Sequence, residues 1–176
     1  MYAMLCTRPD VSYALSVSSR YQGDPGLEHW AAVKGILKYL RRTKDLLLVY
    51  GGDEELIVNG YTDAGFITDP DDFKSQSGYV FILNSGAVDW KSSKQKTVAD
   101  SMTLAEYVAA SEASKEAVWI KQFLEDLVWF QVLWTRWRSI VIIVASWLRQ
   151  GSQVRTIRHD ILNANINSFD IMSKRV

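Results

Sequence analysis

The sequence predicts an α/β fold in which a mixed sheet of about three strands packs on one long helix, preceded by two helices. Short apolar runs separated by turn residues occupy residues 46–90, which is typical of strands. Apolar side chains then recur at spacings of three and four over residues 104–127, which indicates a long helix. The chain has 176 residues, 48% of them hydrophobic, so it can bury a core.

Two helices are predicted before the sheet. The first begins at Arg8-Pro9-Asp10, because proline is tolerated in the first helical turn, and the Gly-Asp-Pro-Gly run at 23–26 ends it. The second covers residues 27 to about 43, where apolar residues repeat at helical spacing and basic residues occupy other faces.

The strands come next. Residues 46–50 and 56–62 flank the run GGDEE, and they form either a hairpin or two separate strands. Residues 78–83 and 87–90 form a hairpin, because Asn-Ser-Gly at 84–86 suits a tight reversal. With helix 104–127 they give a βββα unit, an order that assigns no function by itself.

Composition excludes several kinds of site. Cys6 is the single cysteine, which excludes a disulfide framework and a thiolate zinc site, and two histidines are too few for a histidine-rich metal site. The N-terminus lacks the cationic start and apolar run of a secretion signal, so we expect an intracellular location, cytoplasmic or nuclear. The net charge of zero predicts neither a nucleic-acid nor a membrane partner.

Motifs between residues 61 and 127 point to a family. The run YTDAG ends a predicted strand, KSQSGY and GAVDWKSSKQK follow, and TLAEY opens the long helix. This block resembles the ribonuclease H domain of Ty1/copia-type retrotransposon Pol polyproteins. The runs CTRPDVSYAL and PGLEHWAAVKGILKYLRRT resemble the end of their reverse transcriptase region. The resemblance divides the chain into a reverse transcriptase connection-like helical segment (1–52), a partial ribonuclease H-like domain (53–127) and a non-homologous tail (128–176).

The resemblance also implies a metal site. The family hydrolyses the RNA strand of RNA:DNA hybrids with two Mg²⁺ ions roughly 4 Å apart, and hard cations of this kind prefer carboxylate oxygens. By motif, Asp63 matches the first-strand aspartate and Glu106 the helix glutamate, which makes both candidate catalytic residues and metal ligands. Leu104 stands where the family usually has another glutamate. The expected partner is an RNA:DNA hybrid, with no small-molecule cofactor.

Other polar and aromatic residues are weaker candidates. Lysine and small polar side chains supply many backbone contacts to nucleic acids, although a solvated strand edge explains this set equally well. The set is Lys91, Ser92, Lys94 and Lys96. We interpret the acidic residues at 69, 71 and 72 as a solvated loop rather than as part of a site. Four aromatic residues are assigned to the core rather than to stacking platforms: Trp30, Tyr79, Phe81 and Trp90.

The tail at 128–176 differs in composition from the rest. It holds seven Lys or Arg against two Asp or Glu, and four of the seven tryptophans. The family continues with a strand resembling Y-C-D-N-S, whose aspartate is the third metal ligand, and that motif is missing here. A frame shifted back by one nucleotide permits it over residues 139–144, with the aspartate codon across Val141 and Ile142. We therefore interpret the tail as family sequence translated out of frame from near Leu127, with irregular or helical structure.

Three functions stay open. The first is a degenerate ribonuclease H-like fragment with little or no activity, because the third and fourth metal-site residues are missing and loss of the fourth strand exposes the edge of the first. The second is an active hybrid nuclease completed by a partner. The third is a non-catalytic nucleic-acid or membrane-associating module that uses the basic tail. A membrane helix over 128–148 is disfavoured, since Arg136 and Arg138 would each cost about 2.5 to 3.5 kcal/mol near its centre.

Overall fold

The computed structural model describes residues 2–51, 56–130 and 137–144. The N-terminal elements are α1 (Tyr2–Cys6), a 3-10 turn (Pro9–Val11), α2 (Ser12–Ser18), a second 3-10 turn (Ser19–Tyr21) and α3 (Leu27–Arg42). The remaining elements are β1 (Leu56–Gly65), β2 (Gln76–Leu83), β3 (Gly86–Lys94), α4 (Met102–Phe130) and β4 (Trp137–Val144). The α/β class and the truncated ribonuclease H-like arrangement are confirmed.

One four-stranded sheet has the order β3-β2-β1-β4. β2 runs antiparallel to both β1 and β3, whereas β4 runs parallel to β1. The β2–β3 hairpin turns at Asn84 and Ser85, whose φ angles of 52° and 67° are both positive. Two consecutive positive φ angles are what a two-residue hairpin turn requires, so the predicted hairpin is confirmed.

Helix α4 covers one face of the sheet. Val58 of β1 and Phe81 of β2 pack against Ala113, Ala117 and Ile120 of α4, and Phe81 is fully buried. Gly60 lies opposite Phe81 in the β1–β2 register, and a Cβ atom at this position would stand 2.5 Å from the Phe81 ring. The core therefore requires the absence of a side chain at residue 60.

The N-terminal helices cover the opposite face. Phe81 faces α4, so its neighbour Val80 points to the other side of the sheet. Trp90 is paired with Val80 and therefore also points away from α4. Its indole Nε1 donates to the Met4 carbonyl at 2.7 Å, and the Gln76 amide donates to Ser16 Oγ at 3.3 Å. Both contacts tie the first eighteen residues to β2 and β3.

A group of ion pairs joins the same two parts of the chain. The Asp69 carboxylate, 4% exposed, lies 2.9 Å from Arg20 Nη1 and 2.9 Å from Lys94 Nζ. Lys94 also lies 2.8 Å from Asp72. The hydrogen bond from Lys94 holds the pKa of Asp69 below its ordinary value. The loop after β1 is thus held between the second 3-10 turn and the end of β3.

A second polar group fixes the end of α3. Arg8 Nη2 lies 2.7 Å from the Asp10 carboxylate and donates to Thr43 Oγ1 at 2.6 Å, and the Tyr39 hydroxyl donates to Asp10 at 2.7 Å. Burial alone raises the pKa of Asp10, but the hydrogen bonds from Arg8 and Tyr39 outweigh it and hold the pKa below its ordinary value. Burial, followed by the hydrogen bond to Asp10, raises the pKa of Tyr39 to about 12.

Three sequence-based expectations about strands, helix packing and the tail are wrong. Residues 46–50 form no strand, although Tyr50 donates to the Ala87 carbonyl beside the hairpin turn at 2.8 Å. Trp30 is 54% exposed and does not belong to the core. Tyr79, Phe81 and Trp90 are buried or half-buried, in agreement with the expectation for the core.

The third error concerns the tail. Part of it, residues 137–144, forms β4 rather than irregular or helical structure, so the predicted exposed edge of β1 is covered. The run at 139–144 is rich in β-branched residues, and pairing with β1 satisfies backbone groups that an open edge would leave to solvent. The alternative, a membrane helix over residues 128–148, is contradicted at residues 137–144, which form a strand. Residues 131–136 and 145–148 lie outside the described residues. Within the described ranges no helix has the length and hydropathy to cross a bilayer.

Substituting Gly60→Ala should lower the free energy of unfolding by about 1 to 3 kcal/mol, because the new methyl group overpacks against Phe81. Gly35 is the matched control, since it lies inside α3 and a Cβ atom added to it would meet nothing within 4 Å. Gly35→Ala should raise the same free energy by about 0.5 to 1 kcal/mol. Urea unfolding followed by circular dichroism measures both values, and equal signs would contradict the packing described at residue 60.

Acid should destabilise the protein partly through Asp10. Because its folded-state pKa lies below its unfolded-state pKa, this carboxylate stabilises the fold above about pH 4, and the contribution is lost as the pH falls through the folded value. The unfolding free energy of Asp10→Asn should therefore fall less between pH 6 and pH 3 than that of the unsubstituted chain. Asp24→Asn, at an exposed turn residue, is the control and should retain the full acid dependence.

Candidate metal-binding site

Asp63 lies near the end of β1, opposite Gly78 of β2, and its side chain is exposed. Its neighbours Thr62 and Ala64 are 2% and 8% exposed, and Ala64 belongs to the cluster beneath α4. Alternation along β1 therefore directs Asp63 to the face that α2 covers. There it lines an open cavity of about 310 Å³, whose other walls include Ser12 and Tyr13.

Glu106 lies in the second turn of α4 and is half-buried. It follows Ala105, which is fully buried and packs in one cluster with Ala64 and Ala109. Because Asp63 precedes Ala64 and Glu106 follows Ala105, the two carboxylates flank a single packed contact between β1 and α4. The two motif residues thus lie at the same end of the sheet, with Asp63 directed to the α2 face and Glu106 on the helix that covers the other face.

A third ligand is missing from the described part of the chain. Residues 2–51, 56–130 and 137–144 contain no group of three or more His, Cys, Asp or Glu side chains that could hold a metal ion. β4 has no acidic residue between Trp137 and Val144. The lost aspartate codon is assigned to Val141 and Ile142. In the β1–β4 register these residues lie opposite Asn59 and Gly60, three to four residues before Asp63. At about 3.3 Å per residue, that offset is about 10 to 13 Å.

Gln95 supports the Glu106 turn and was missed by sequence analysis. Its side chain is 1% exposed, and its Nε2 donates to Ser77 Oγ and to the Ala105 carbonyl, both at 2.8 Å. Ser77 pairs with Ala64 in the β1–β2 register. Gln95 therefore connects the strand beside Asp63 with the helical turn that carries Glu106. The sequence feature that could have identified Gln95 is its position between two lysines, in the run KQK, directly after a strand.

The four residues predicted to bind nucleic acid differ in their surroundings. Lys91 and Lys96 are exposed, whereas Ser92 Oγ accepts a hydrogen bond from Gln76 at 2.8 Å. Lys94 is ion-paired with Asp69 and Asp72, and the hydrogen bond to Asp72 leads the interactions that raise its pKa. A phosphate contact by Lys94 would compete with these ion pairs. Nucleic-acid binding by the four residues stays a prediction.

The acidic loop is more ordered than its composition indicates. Asp69 is buried and accepts a hydrogen bond from the Asp71 backbone N–H at 3.1 Å, which closes a local turn. Asp71 is exposed and Asp72 half-exposed. The interpretation as a solvated loop is therefore wrong for Asp69, because two cations from distant elements stabilise its carboxylate away from water.

Comparison with known proteins identifies relatives of the matched segment. The chain is 52% identical over 127 residues to the retrovirus-related Pol polyprotein from transposon TNT 1-94 of Nicotiana tabacum, which covers 72% of this chain and 10% of that polyprotein. It is 39% identical over 121 residues to the corresponding polyprotein from transposon RE2 of Arabidopsis thaliana, covering 69% of this chain and 8% of that protein. The chain thus spans about a tenth or less of these two polyproteins.

A much shorter protein also matches. The chain is 46% identical over 122 residues to the secreted RxLR effector protein 161 of Plasmopara viticola, which covers 68% of this chain and 84% of that protein. No protein-family model matches the chain, and no solved structure matches it. The shared segment therefore occurs both inside long polyproteins and as most of a short chain.

With two carboxylates and no third, the site should bind a divalent cation weakly, with a Kd on the order of 10⁻³ M. Titration with Mn²⁺, followed by paramagnetic broadening of backbone amide signals, should show the effect first around residues 63–64 and 105–106. Asp63→Asn and Glu106→Gln should each abolish it. Asp71→Asn, at an exposed aspartate of the acidic loop, is the control and should leave it unchanged. Broadening that persists in both site variants would show that the pair is not the binding site.

Proposed function

The chain belongs to the same family as the retrovirus-related Pol polyproteins of transposons, and we propose that it is their ribonuclease H-like segment with an incomplete metal site. In this proposal the chain descends from a Mg²⁺-dependent nuclease that cuts RNA in RNA:DNA hybrids. It retains affinity for nucleic acid and has lost hydrolysis. The supporting residues are Asp63 and Glu106, which flank one contact at the end of the sheet.

The proposed inactivity rests on the absence of a carboxylate from β4. β4 pairs in parallel with β1, and its last residue, Val144, lies opposite Thr62, next to Asp63. Two adjacent Mg²⁺ ions repel each other and need bridging carboxylates, and the sequence of β4 comprises a tryptophan, an arginine, a serine and five aliphatic residues but no acid. Asp63 and Glu106 alone would supply two carboxylates, too few for two Mg²⁺ ions, which would leave either the attacking water or the leaving oxygen without metal stabilisation.

A second candidate is a non-catalytic nucleic-acid-binding module. The match that covers 84% of a short protein favours it, because the segment there occurs without most of a polyprotein. Basic residues of the tail would contribute to binding in this case. An intracellular location, cytoplasmic or nuclear, belongs to both candidates and agrees with the exposed free thiol of Cys6.

A hybrid cleavage assay tests the proposal. The chain should release no product from an end-labelled RNA:DNA hybrid in Mg²⁺ or Mn²⁺, because the second metal position has no ligands. Cleavage that Asp63→Asn abolishes, and that the surface variant Asp71→Asn preserves, would overturn the claim of inactivity. It would favour an active nuclease whose site is completed by residues outside the described ranges or by a partner.

The same cleavage assay, applied to a frame-corrected chain, tests the proposed descent separately from the activity of the present chain. A chain whose coding sequence is read in the shifted frame after Leu127 should regain the third aspartate and cleave the hybrid. If the coding DNA around Leu127 restored no family motif in any frame, the interpretation of the tail would be wrong, whatever the assay on the unaltered chain shows.

A further inference from the structure

Helix α3 carries a basic surface that the candidate metal site does not use. Lys34, Lys38, Arg41 and Arg42 are all exposed, and at 100° per residue they fall within one third of the helix circumference. We call these four residues the basic face of α3. None of them forms an ion pair with any residue that the structure describes. This face is therefore available to an outside partner.

The opposite side of α3 is already occupied. Val33, Ile36 and Leu40 are half-buried and lie on the side of the helix away from the basic face, where α3 packs against α2. The Arg8 guanidinium holds the C-terminal end through Thr43, and the Gly26 N–H donates to His29 Nδ1 at the N-terminal end. The helix is thus fixed with its cations directed outward.

Four like charges in two and a half turns, with no ion pair to any described residue, are unfavourable on their own. Like charges three or four residues apart destabilise a helix by about 0.2 to 0.5 kcal/mol per pair, and the acidic residue of α3, Glu28, lies in the first turn, more than one turn before Lys34. A solvated surface would ordinarily mix both signs. The charge distribution therefore favours an anionic partner that bridges several of these side chains at once.

We propose that the basic face of α3 is a nucleic-acid-binding surface that contacts successive phosphates of one strand. From Lys34 to Arg42 the helix rises about 12 Å, which matches roughly three to four phosphates at about 3.4 Å of axis per strand. Trp30, 54% exposed and one turn before Lys34, extends the surface with an indole that can stack on a base or sugar. The identity of the ligand as an RNA:DNA hybrid rests on the proposed function.

The geometry favours nucleic acid over an anionic membrane. A helix that lies in a bilayer interface buries its apolar side and leaves its cations at the headgroups. In α3 the apolar side packs on α2, so the outward surface presents mainly charge, flanked by Trp30 and Leu37. Insertion of the apolar side of α3 into a bilayer interface would require α3 to leave α2 and break the contacts between Arg8 and Thr43.

Salt dependence of binding tests the proposal on the full chain. The probe is a fluorescein-labelled RNA:DNA hybrid of 16 base pairs, titrated by anisotropy at several salt concentrations. The double variant Lys34→Gln/Lys38→Gln should lower the slope of log K against log salt by about two, since each phosphate contact contributes about one. The control Lys115→Gln/Lys121→Gln removes the same charge from the exposed surface of α4 and should keep the original slope.

A stacking variant provides an independent readout. Trp30→Ala should weaken binding by roughly five- to a hundredfold without changing the salt slope, because loss of base stacking releases no counterions. Circular dichroism and urea unfolding of each variant establish that α3 remains folded. Lysine and glutamine have similar helix propensities, so the double variant should unfold at the same urea concentration as the unaltered chain.

The possible outcomes separate this inference from the proposed function. An unchanged slope in Lys34→Gln/Lys38→Gln, with a reduced slope in Lys91→Gln/Lys96→Gln, would overturn the inference and leave the proposed function standing. Equal losses in the α3 and α4 variants would overturn it as well, because they would indicate binding by overall charge. No hybrid binding by the unaltered chain would contradict both. Binding to phosphatidylserine vesicles that falls with the α3 variant, without an effect on hybrid binding, would assign the surface to membranes instead.

Discussion

The close approach of α4 to the end of β1 determines most of what this molecule can do. It is possible because the facing residues are alanines: Ala64 meets Ala105 and Ala109, and none of the three is more than 8% exposed. A larger side chain at any of these positions would push the helix outward, since protein interiors are packed too tightly to absorb even one methylene without strain. The positions of Asp63 and Glu106 at this end of the sheet depend on this contact.

The sequence predicts those parts of the fold that are encoded locally. The hairpin follows from turn chemistry at residues 84–86, and α3 and α4 follow from apolar spacing, so both appear where the pattern puts them. The pairing of strands that are distant in the chain is harder to predict from the sequence. Residues 46–50 have a strand-like composition yet pair with no strand of the sheet, whereas β4 forms a strand in a tail that lacks family motifs. Which edge a strand joins depends on the rest of the sheet.

In the candidate site too, residues marked by local motifs were predicted, and residues whose roles depend on distant contacts were not. Asp63 and Glu106 were identified from motifs, because short runs such as YTDAG and TLAEY carry the signal in a few adjacent residues. Gln95 could not be identified in this way, since its role depends on contacts with Ser77 and Ala105 that lie in other elements. The burial of Asp69 was missed for the same reason, because Arg20 is 49 residues away in the chain. The pairing of β4 with β1 needs only backbone groups and β-branched side chains, so a strand can form there without an acidic residue.

The ion pair between Arg20 and Asp69, together with the Trp90 contact to the Met4 carbonyl, joins the helical segment to the sheet at two separate places. Exchange of the part of the chain after residue 51 for that of a related sequence would part Arg20 from Asp69 and leave the Trp90 face to a segment with a different history. Such hybrids would begin with a buried carboxylate short of one cation. A stable fold after such an exchange would require the incoming segment to restore both contacts, so the smallest exchangeable unit of this structure includes the N-terminal helices as well as the sheet.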